Sequence, residues 1–180
     1  MAWSKQHKQK TKEKILLSAA KLFANNSFDR VSIDQIMKEA QLTRGAFYSH
    51  FKSKSDLYSQ SIIKGADAAQ IRKPLNSNIN LTHIAQYYLS QSHRDEQDKQ
   101  PCPLASLVSD ISQQDKTIQD TYTQLFKGFV KQANIHTKDQ QKALQSAVLM
   151  VGGLAISRAL SDKTLSDDLL LACQKAITEF

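Results

Sequence analysis

The chain has 180 residues, with 24 Lys or Arg against 17 Asp or Glu, a formal charge of +7 and a pI near 9.4. A hydrophobic content of 41% supports a packed core, while five Gly and three Pro exclude collagen-like and low-complexity classes and are few for a turn-rich all-β sandwich. At roughly 100–200 residues per domain the length fits one domain, or a small domain fused to a larger one. Burial of on the order of 70% of the unfolded surface needs no disulfide or metal staple at this size.

The charge is uneven along the chain. Residues 1–58 hold eleven Lys or Arg and five Asp or Glu, a net of +6, whereas residues 59–180 hold thirteen and twelve, a net of +1. This asymmetry points the N-terminal part toward nucleic acid or an anionic membrane surface, with a solvated basic face as the plainer alternative. Residues 1 to about 9 read as a disordered basic arm. The lysines from Lys5 to Lys14, placed ahead of Ile15, Leu16 and Leu17, look superficially like a signal peptide. Lys21 interrupts the apolar run and no cleavage site follows, so the reading is an amphipathic helix from about Thr11 to Asn25. Its face is Ile15, Ala19, Leu22 and Phe23. The Lys5–Lys14 arm lacks the opposing apolar face of a membrane-surface helix and is expected to add nonspecific affinity for phosphates.

Ser32 with Gln35 three residues later predicts a capping box opening a short second helix that ends by Ala40. Gln41 and Leu42 make a tight connection, and Thr43 is placed to cap a third helix from Arg44 to about His50. A second capping box, Ser53 to Asp56, opens a long fourth helix ended by Pro74 and the polar run Asn76–Asn80. A fifth helix covers about Leu81–Ser92, followed by a charged loop from His93 to Gln100. Pro101, Cys102 and Pro103 start a sixth helix to about Gln113. The seventh covers about Asp115–Ala133, the eighth about Thr137–Leu160 and the ninth about Ser166–Thr178. The longest apolar run, Ala147–Ile156, falls well short of the ~20 residues of a spanning helix. The expected fold is therefore all-α with about nine helices.

Three short helices with a turn of about three residues before the last make a helix-turn-helix. Leu42, Phe47 and Phe51 would seat the third helix, leaving Thr43, Arg44, Gly45, Ala46, Tyr48 and His50 outward. Small Gly45 and Ala46 permit close approach to a major-groove floor. Arg44 has the geometry for two acceptors on guanine, and the Ala46 methyl for a thymine methyl. Tyr48, His50, Lys52 and Lys54 suit phosphates.

The run from Ser32–Ile36 through Ala40–Gln41–Leu42–Thr43–Arg44–Gly45–Ala46–Phe47–Tyr48–Ser49–His50–Phe51–Lys52–Ser53–Lys54–Ser55–Asp56–Leu57 strongly resembles the TetR family of bacterial transcriptional repressors. The resemblance covers roughly residues 11 to 60. It implies an N-terminal three-helix DNA-binding domain, set at 1–58, and a C-terminal helical effector-binding and dimerisation domain, set at 59–180. It also implies Ser32 as a DNA-facing cap beside the residues above. Partners would be operator DNA, a second copy of the chain and a small-molecule effector that tilts the fourth helix. The family usually has Gly at the positions of Ser27 and Gln41. A non-Gly residue at positive φ there costs about 1 kcal/mol, with Asn26 able to take over the first role.

For the larger part the inference is architectural. Tyr87, Tyr88, Leu104, Leu107, Tyr122, Phe126, Phe129 and Met150 are effector-pocket candidates, though apolar stripes at helical spacing equally make ordinary core. Cys102 beside Pro103 falls at an N-cap, where a helix dipole favours thiolate, and a subset of the family carries a similar Cys-Pro-Leu-Ala segment, so Cys102 is a further effector candidate and a candidate thiol sensor, with an inert buried residue as the plainer alternative. Small residues Gly152, Gly153, Ala155 and Ala159, with Leu169, Ala172 and Ala176, are dimer-interface candidates. Cys102 and Cys173 lack metal-ligand spacing and suit a reducing cytoplasm. No metal site, cofactor motif or catalytic constellation emerges, so an enzyme is not expected. The alternative is an architectural DNA-binding protein without an effector.

Overall fold

Lys, Gln, Glu and Ala are strong helix formers, and the run that contains them is helical from its first described residue. In the computed structural model, which describes residues 5–68, 80–95 and 102–179, helix α1 covers Lys5–Asn25. The expected arm is therefore helical from Lys5 onward rather than from Thr11, with residues 5–10 exposed. Burial begins only at Ile15, Leu16, Ala19 and Phe23. A 3-10 turn, Phe28–Arg30, leads to α2 (Ile33–Glu39), α3 (Arg44–Tyr48) and α4 (Lys54–Ala68).

The first capping box forms, and the second forms only in its Ser53 half. The Ser32 backbone N–H donates to Gln35 Oε1 at 2.7 Å, and the Gln35 N–H donates to Ser32 Oγ at 3.2 Å. At α4 the Asp56 N–H donates to Ser53 Oγ at 3.0 Å. The Asp56 carboxylate reaches one residue past the cap, accepting from the Lys52 N–H at 2.9 Å. Thr43 occupies the N-cap of α3, but its side chain makes no capping bond. The two glycine replacements part company. Gln41 has φ of 54°, the left-handed conformation expected to strain a side chain, while Ser27 is extended at φ −62°. Asn26 has no need to take over a role there, and its side-chain amide instead donates to the Leu22 carbonyl at 3.0 Å.

The remaining described helices are α5 (Leu81–Tyr88), α6 (Gln91–Asp95), α7 (Pro103–Ser106), α8 (Val108–Ile111), α9 (Lys116–Thr137), α10 (Gln140–Ala159) and α11 (Lys163–Thr178). That makes eleven α-helices among the described residues, against about nine expected. The sixth predicted helix is broken at Leu107, whose ψ of 1° leaves the helical region, and the predicted charged loop contains α6. The predicted end of the fourth helix at Pro74 and 76–79, loop residues 96–100 and Pro101 of the predicted sixth helix lie outside the described residues.

The chain folds as two compact units. The first holds residues 1–69 and 101–122, the second 70–100 and 123–180. The first unit does not stop at 58 because α4 packs along α1 and Pro103 of α7 reaches the same core beside Gly65. In the second unit Ala85, Tyr88, Leu89, Phe129, Met150, Leu154, Leu170 and Cys173 make the core.

Two features organise that second unit. Gly153 faces inward, not toward a partner molecule: a Cβ there would lie 2.9 Å from Cys173 Sγ and 3.1 Å from Leu89 Cδ2. Removing it from the interface candidates has a physical reason, the close approach of α10 to α11. Gly153→Ala is expected to cost about 1–3 kcal/mol of stability through overpacking, read as a lower urea midpoint at unchanged slope. The second feature is Arg94, only 5% exposed, whose guanidinium bonds Asp95 (2.8 Å), Ser166 (2.8 Å) and Asp167 (2.5 Å). Arg158 in turn donates to the His93 carbonyl at 2.7 Å. Sequence reading placed residue 94 in a loop and missed this anchor.

Candidate nucleic-acid interface

Helix α3 is only five residues long, so tertiary packing must hold it. Phe47 is fully buried, its ring tilted against that of Phe51 with centroids 5.7 Å apart, and Phe51 is itself buried. These two rings seat the helix on the bundle. On the other side Thr43, Arg44 and Gly45 are exposed, Ala46 is half-buried, and Tyr48 is 61% exposed. Nothing lies within 4 Å of a Cβ placed on Gly45. Helix α3 thus presents a smooth, polar outer surface beginning with a cation.

Arg44 does not point into empty solvent. Its NH1 donates to Asp34 Oδ2 of α2 at 3.0 Å, an exposed pair of small net worth. Hydrogen bonding to Tyr48 and then the charge of Asp34 raise its pKa further, so the guanidinium is always charged. Asp34 thereby orients the side chain that sequence reading assigned to base recognition. That acidic partner was missed because an exposed Asp in a first helical turn already has a sufficient role at the helix dipole.

His50 and Lys52 flank the C-terminal end of α3. Burial first, then Lys8 and Lys12, lowers the His50 pKa, so its imidazole is neutral near pH 7. It can serve a phosphate as a hydrogen-bond donor rather than as a cation. Lys12 Nζ lies 5.6 Å from the centre of the Phe51 ring. Lys8 and Lys12 stand four apart in α1, on one helical face, and the helical arm brings them to His50. A disordered arm would not have placed them.

Lys54 differs from its expected role. Its Nζ sits 4.1 Å above the Phe28 ring, and burial lowers its pKa while Asp29 and Asp110 pull the other way. Its stem and charge are engaged in packing, so only part of the head group is offered outward. Ser32 is exposed, but its hydroxyl accepts the capping bond.

The effector candidates divide between the units. Cys102, Leu104 and Leu107 are buried in the first, where the Tyr122 hydroxyl donates to the Leu104 carbonyl at 2.7 Å. Leu107 alone of the candidates lines the small apolar cavity among Ala20, Phe23, Ile62 and Pro103. In the second unit Tyr88 is buried against Phe129 at 5.2 Å, Met150 is buried and Phe126 is half-buried. Tyr87 is exposed beside His93. Cys102 does take the N-cap of α7 ahead of Pro103, yet it is fully buried, which keeps reagents from its sulfur. Among the described residues no group of three His, Cys, Asp or Glu is placed to hold a metal, and no helix is long and apolar enough to cross a membrane.

Comparison with known proteins places this surface. The family described as bacterial regulatory proteins, tetR family, matches residues 15–60. The HTH-type transcriptional regulator AcrR of Shigella flexneri is 46% identical over 57 residues, 32% of this chain and 26% of that protein. The biofilm operon icaADBC HTH-type negative transcriptional regulator IcaR of Staphylococcus aureus is 35% identical over 51 residues, 28% of this chain and 27% of that protein. The match thus spans about a quarter of each curated relative. The reduced form of NemR from E. coli shares the fold at 17% identity, with a TM-score of 0.78 over 95% of this chain and 96% of that one. Over residues 15–60, which include the residues that seat and expose α3, the chain matches the tetR family of bacterial regulatory proteins.

Proposed function

We propose that the chain is a cytoplasmic, homodimeric transcriptional regulator, a repressor that leaves a palindromic operator when a small molecule binds its larger part. The observation that carries the DNA reading is α3 itself. A helix too short to stand alone is pinned by Phe47 and Phe51 and offers Thr43, Arg44, Gly45 and Tyr48 outward, with Lys8, Lys12, His50 and Lys52 at its far end. That is base-reading chemistry flanked by phosphate-binding chemistry. The relatives named above are regulators, one of them negative.

Dimerisation is supported by apolar surface that one copy leaves in water. Leu144, Val148 and Ile156 on α10 and Leu165 on α11 are exposed, and half-buried Gly152, Ala155 and Leu169 with exposed Ala159 and Ala172 continue the stripes. Half-buried Ala176 extends the α11 stripe. Spacings of three and four put each stripe on one helical face, the pattern of a four-helix interface across a two-fold axis. Two copies can then set recognition helices about 34–36 Å apart, one turn of DNA. The effector must bind the DNA-incompetent form more tightly, since a ligand shifts an equilibrium only by its differential affinity.

Selection of bound duplexes from a random pool tests this reading, followed by release assays with apolar ligands and thiol oxidants. Enrichment of a palindrome supports it; retention of all sequences alike, unaffected by any ligand, favours an architectural DNA-binding protein. Arg44→Ala is expected to relax discrimination at one base of each half-site by about tenfold to a hundredfold, measured by competition between duplexes differing at that base.

A further inference from the structure

Asp110 lies in a four-residue helix far along the sequence from the helix-turn-helix, yet two elements of the N-terminal bundle share its carboxylate. Oδ1 and Oδ2 accept from the Phe28 backbone N–H at 3.1 and 3.2 Å, and Oδ2 also accepts from the Tyr58 hydroxyl at 2.5 Å. Phe28 opens the 3-10 turn that feeds α2, and Tyr58 is a fully buried residue of α4. The rings of Phe23, Phe28 and Tyr58 pack together, with centroids 4.5 to 6.0 Å apart, under the Lys54 ammonium. Burial, then the bond to Asp110, raises the Tyr58 pKa well above its ordinary value, so the phenol is always the donor.

This geometry does more than fill space. The 3-10 turn is the lead-in to α2, which packs on both α1 and α3, so its position sets how α3 is carried. Apolar contact among the three rings would permit sliding; hydrogen bonds to an ionised carboxylate are directional and roughly twice as strong as neutral ones. The carboxylate comes from α8, close along the chain to α7, whose Pro103 lies against Gly65 of α4. The segment 102–111 therefore holds both the turn and the long helix of the DNA-reading bundle.

We propose that Asp110 is a positioning residue for DNA recognition, clamping the 3-10 turn to α4 so that displacement of the 102–111 segment changes how α3 is presented. The proposal rests on the DNA-binding reading above. Phe28 and Tyr58 are the two points at which the α7–α8 segment holds the bundle.

The test uses the full chain as wild type, Asp110→Asn, Asp110→Leu, Tyr58→Phe and the Tyr58→Phe/Asp110→Asn double variant. Each is titrated with the duplex that wild type enriches from a random pool and with a mixed-sequence duplex of equal length. The temperature is one at which circular dichroism shows every variant folded. Asp110→Asn keeps a carbonyl for the Phe28 N–H and is expected to weaken binding to the enriched duplex about threefold; Asp110→Leu is expected to weaken it about tenfold. Mixed-sequence binding should change by about twofold or less, because phosphate contacts tolerate a shift of α3 that contacts to base edges do not. Hydrogen exchange of the peptide containing Phe28 should accelerate in the same order, and the double variant should lose no more than Asp110→Leu. Unchanged or tighter binding to the enriched duplex, equal losses on both duplexes, or unaltered exchange at Phe28 would overturn the proposal. A wild-type chain that enriches no duplex defeats the DNA reading itself, whereas enrichment indifferent to Asp110 defeats the clamp alone.

Discussion

A Val148→Asp/Ile156→Asp double variant is expected to sediment as a folded monomer and to bind a palindromic duplex about 10²–10⁴-fold more weakly than wild type. Val148 is 60% and Ile156 55% exposed in the single chain, so replacing them disturbs no core packing and should leave monomer stability within about 0.5 kcal/mol. In a dimer the same positions would lie at the centre of the α10–α11 face. Two carboxylates per copy would then be desolvated without partners, a cost that no apolar neighbour offsets. The DNA effect follows from geometry alone, since the surface of α3 stays as it is. Two linked recognition helices bind the second half-site at high effective concentration, and a monomer forfeits that advantage while keeping its affinity for one half-site. Sedimentation equilibrium and titrations with full-site and half-site duplexes read the two effects separately. A dimer that survives both substitutions would place the interface elsewhere.

The same face shows what sequence reading can and cannot see. Small residues on the eighth predicted helix signalled close packing, but spacing alone does not say against what. Gly152 and Ala155 turn partly outward, whereas Gly153, next to Gly152, is the point where α11 and Leu89 press closest. The helix carries two apolar stripes, one inside and one outside, and a periodicity argument cannot rank them. The Ser32–Gln35 capping box, by contrast, was legible because its chemistry is local, with each side chain satisfying a backbone N–H three residues away. The tight turn at Gln41 was legible for the same reason, and its φ of 54° bears out the expected strain. Ser27 misled, because glycine in relatives does not prove that the backbone here takes positive φ. Long-range polar links such as Phe28–Asp110, 82 residues apart, and Arg94–Asp167, 73 apart, leave no local trace at all. The proposed DNA surface was readable because it is a short-range motif. The candidate pocket was not, since Tyr88, Met150 and Leu107 carry only the hydrophobic pattern that any core shares.

Phe47 and Tyr48 are neighbours in α3, and substituting each by Ala is expected to give opposite kinds of damage. Phe47 has no exposed surface and packs against Phe51, so Phe47→Ala leaves a cavity under a helix and removes one of the two rings that seat it. Truncating a buried Phe costs about 3–5 kcal/mol, a large share of the ~5–15 kcal/mol that holds a domain folded. The melting temperature should fall by about 10 °C or more. DNA binding should vanish with the folded fraction, on every sequence alike. Tyr48 is 61% exposed and meets Phe47 edge-on at 5.1 Å, so Tyr48→Ala should change stability by about 1 kcal/mol or less. Under the proposed function its hydroxyl serves a phosphate instead, and its removal should weaken binding about threefold to tenfold on enriched and mixed-sequence duplexes alike. Thermal melts and DNA titrations of both variants, run side by side, decide the assignment. If Tyr48→Ala unfolds the protein, or if Phe47→Ala binds DNA normally, α3 is not seated by one ring and read through its neighbour. The pairing matters because α3 spans only five residues: with so little backbone of its own, a buried ring and an exposed one on adjacent positions must divide the work of folding and recognition between them.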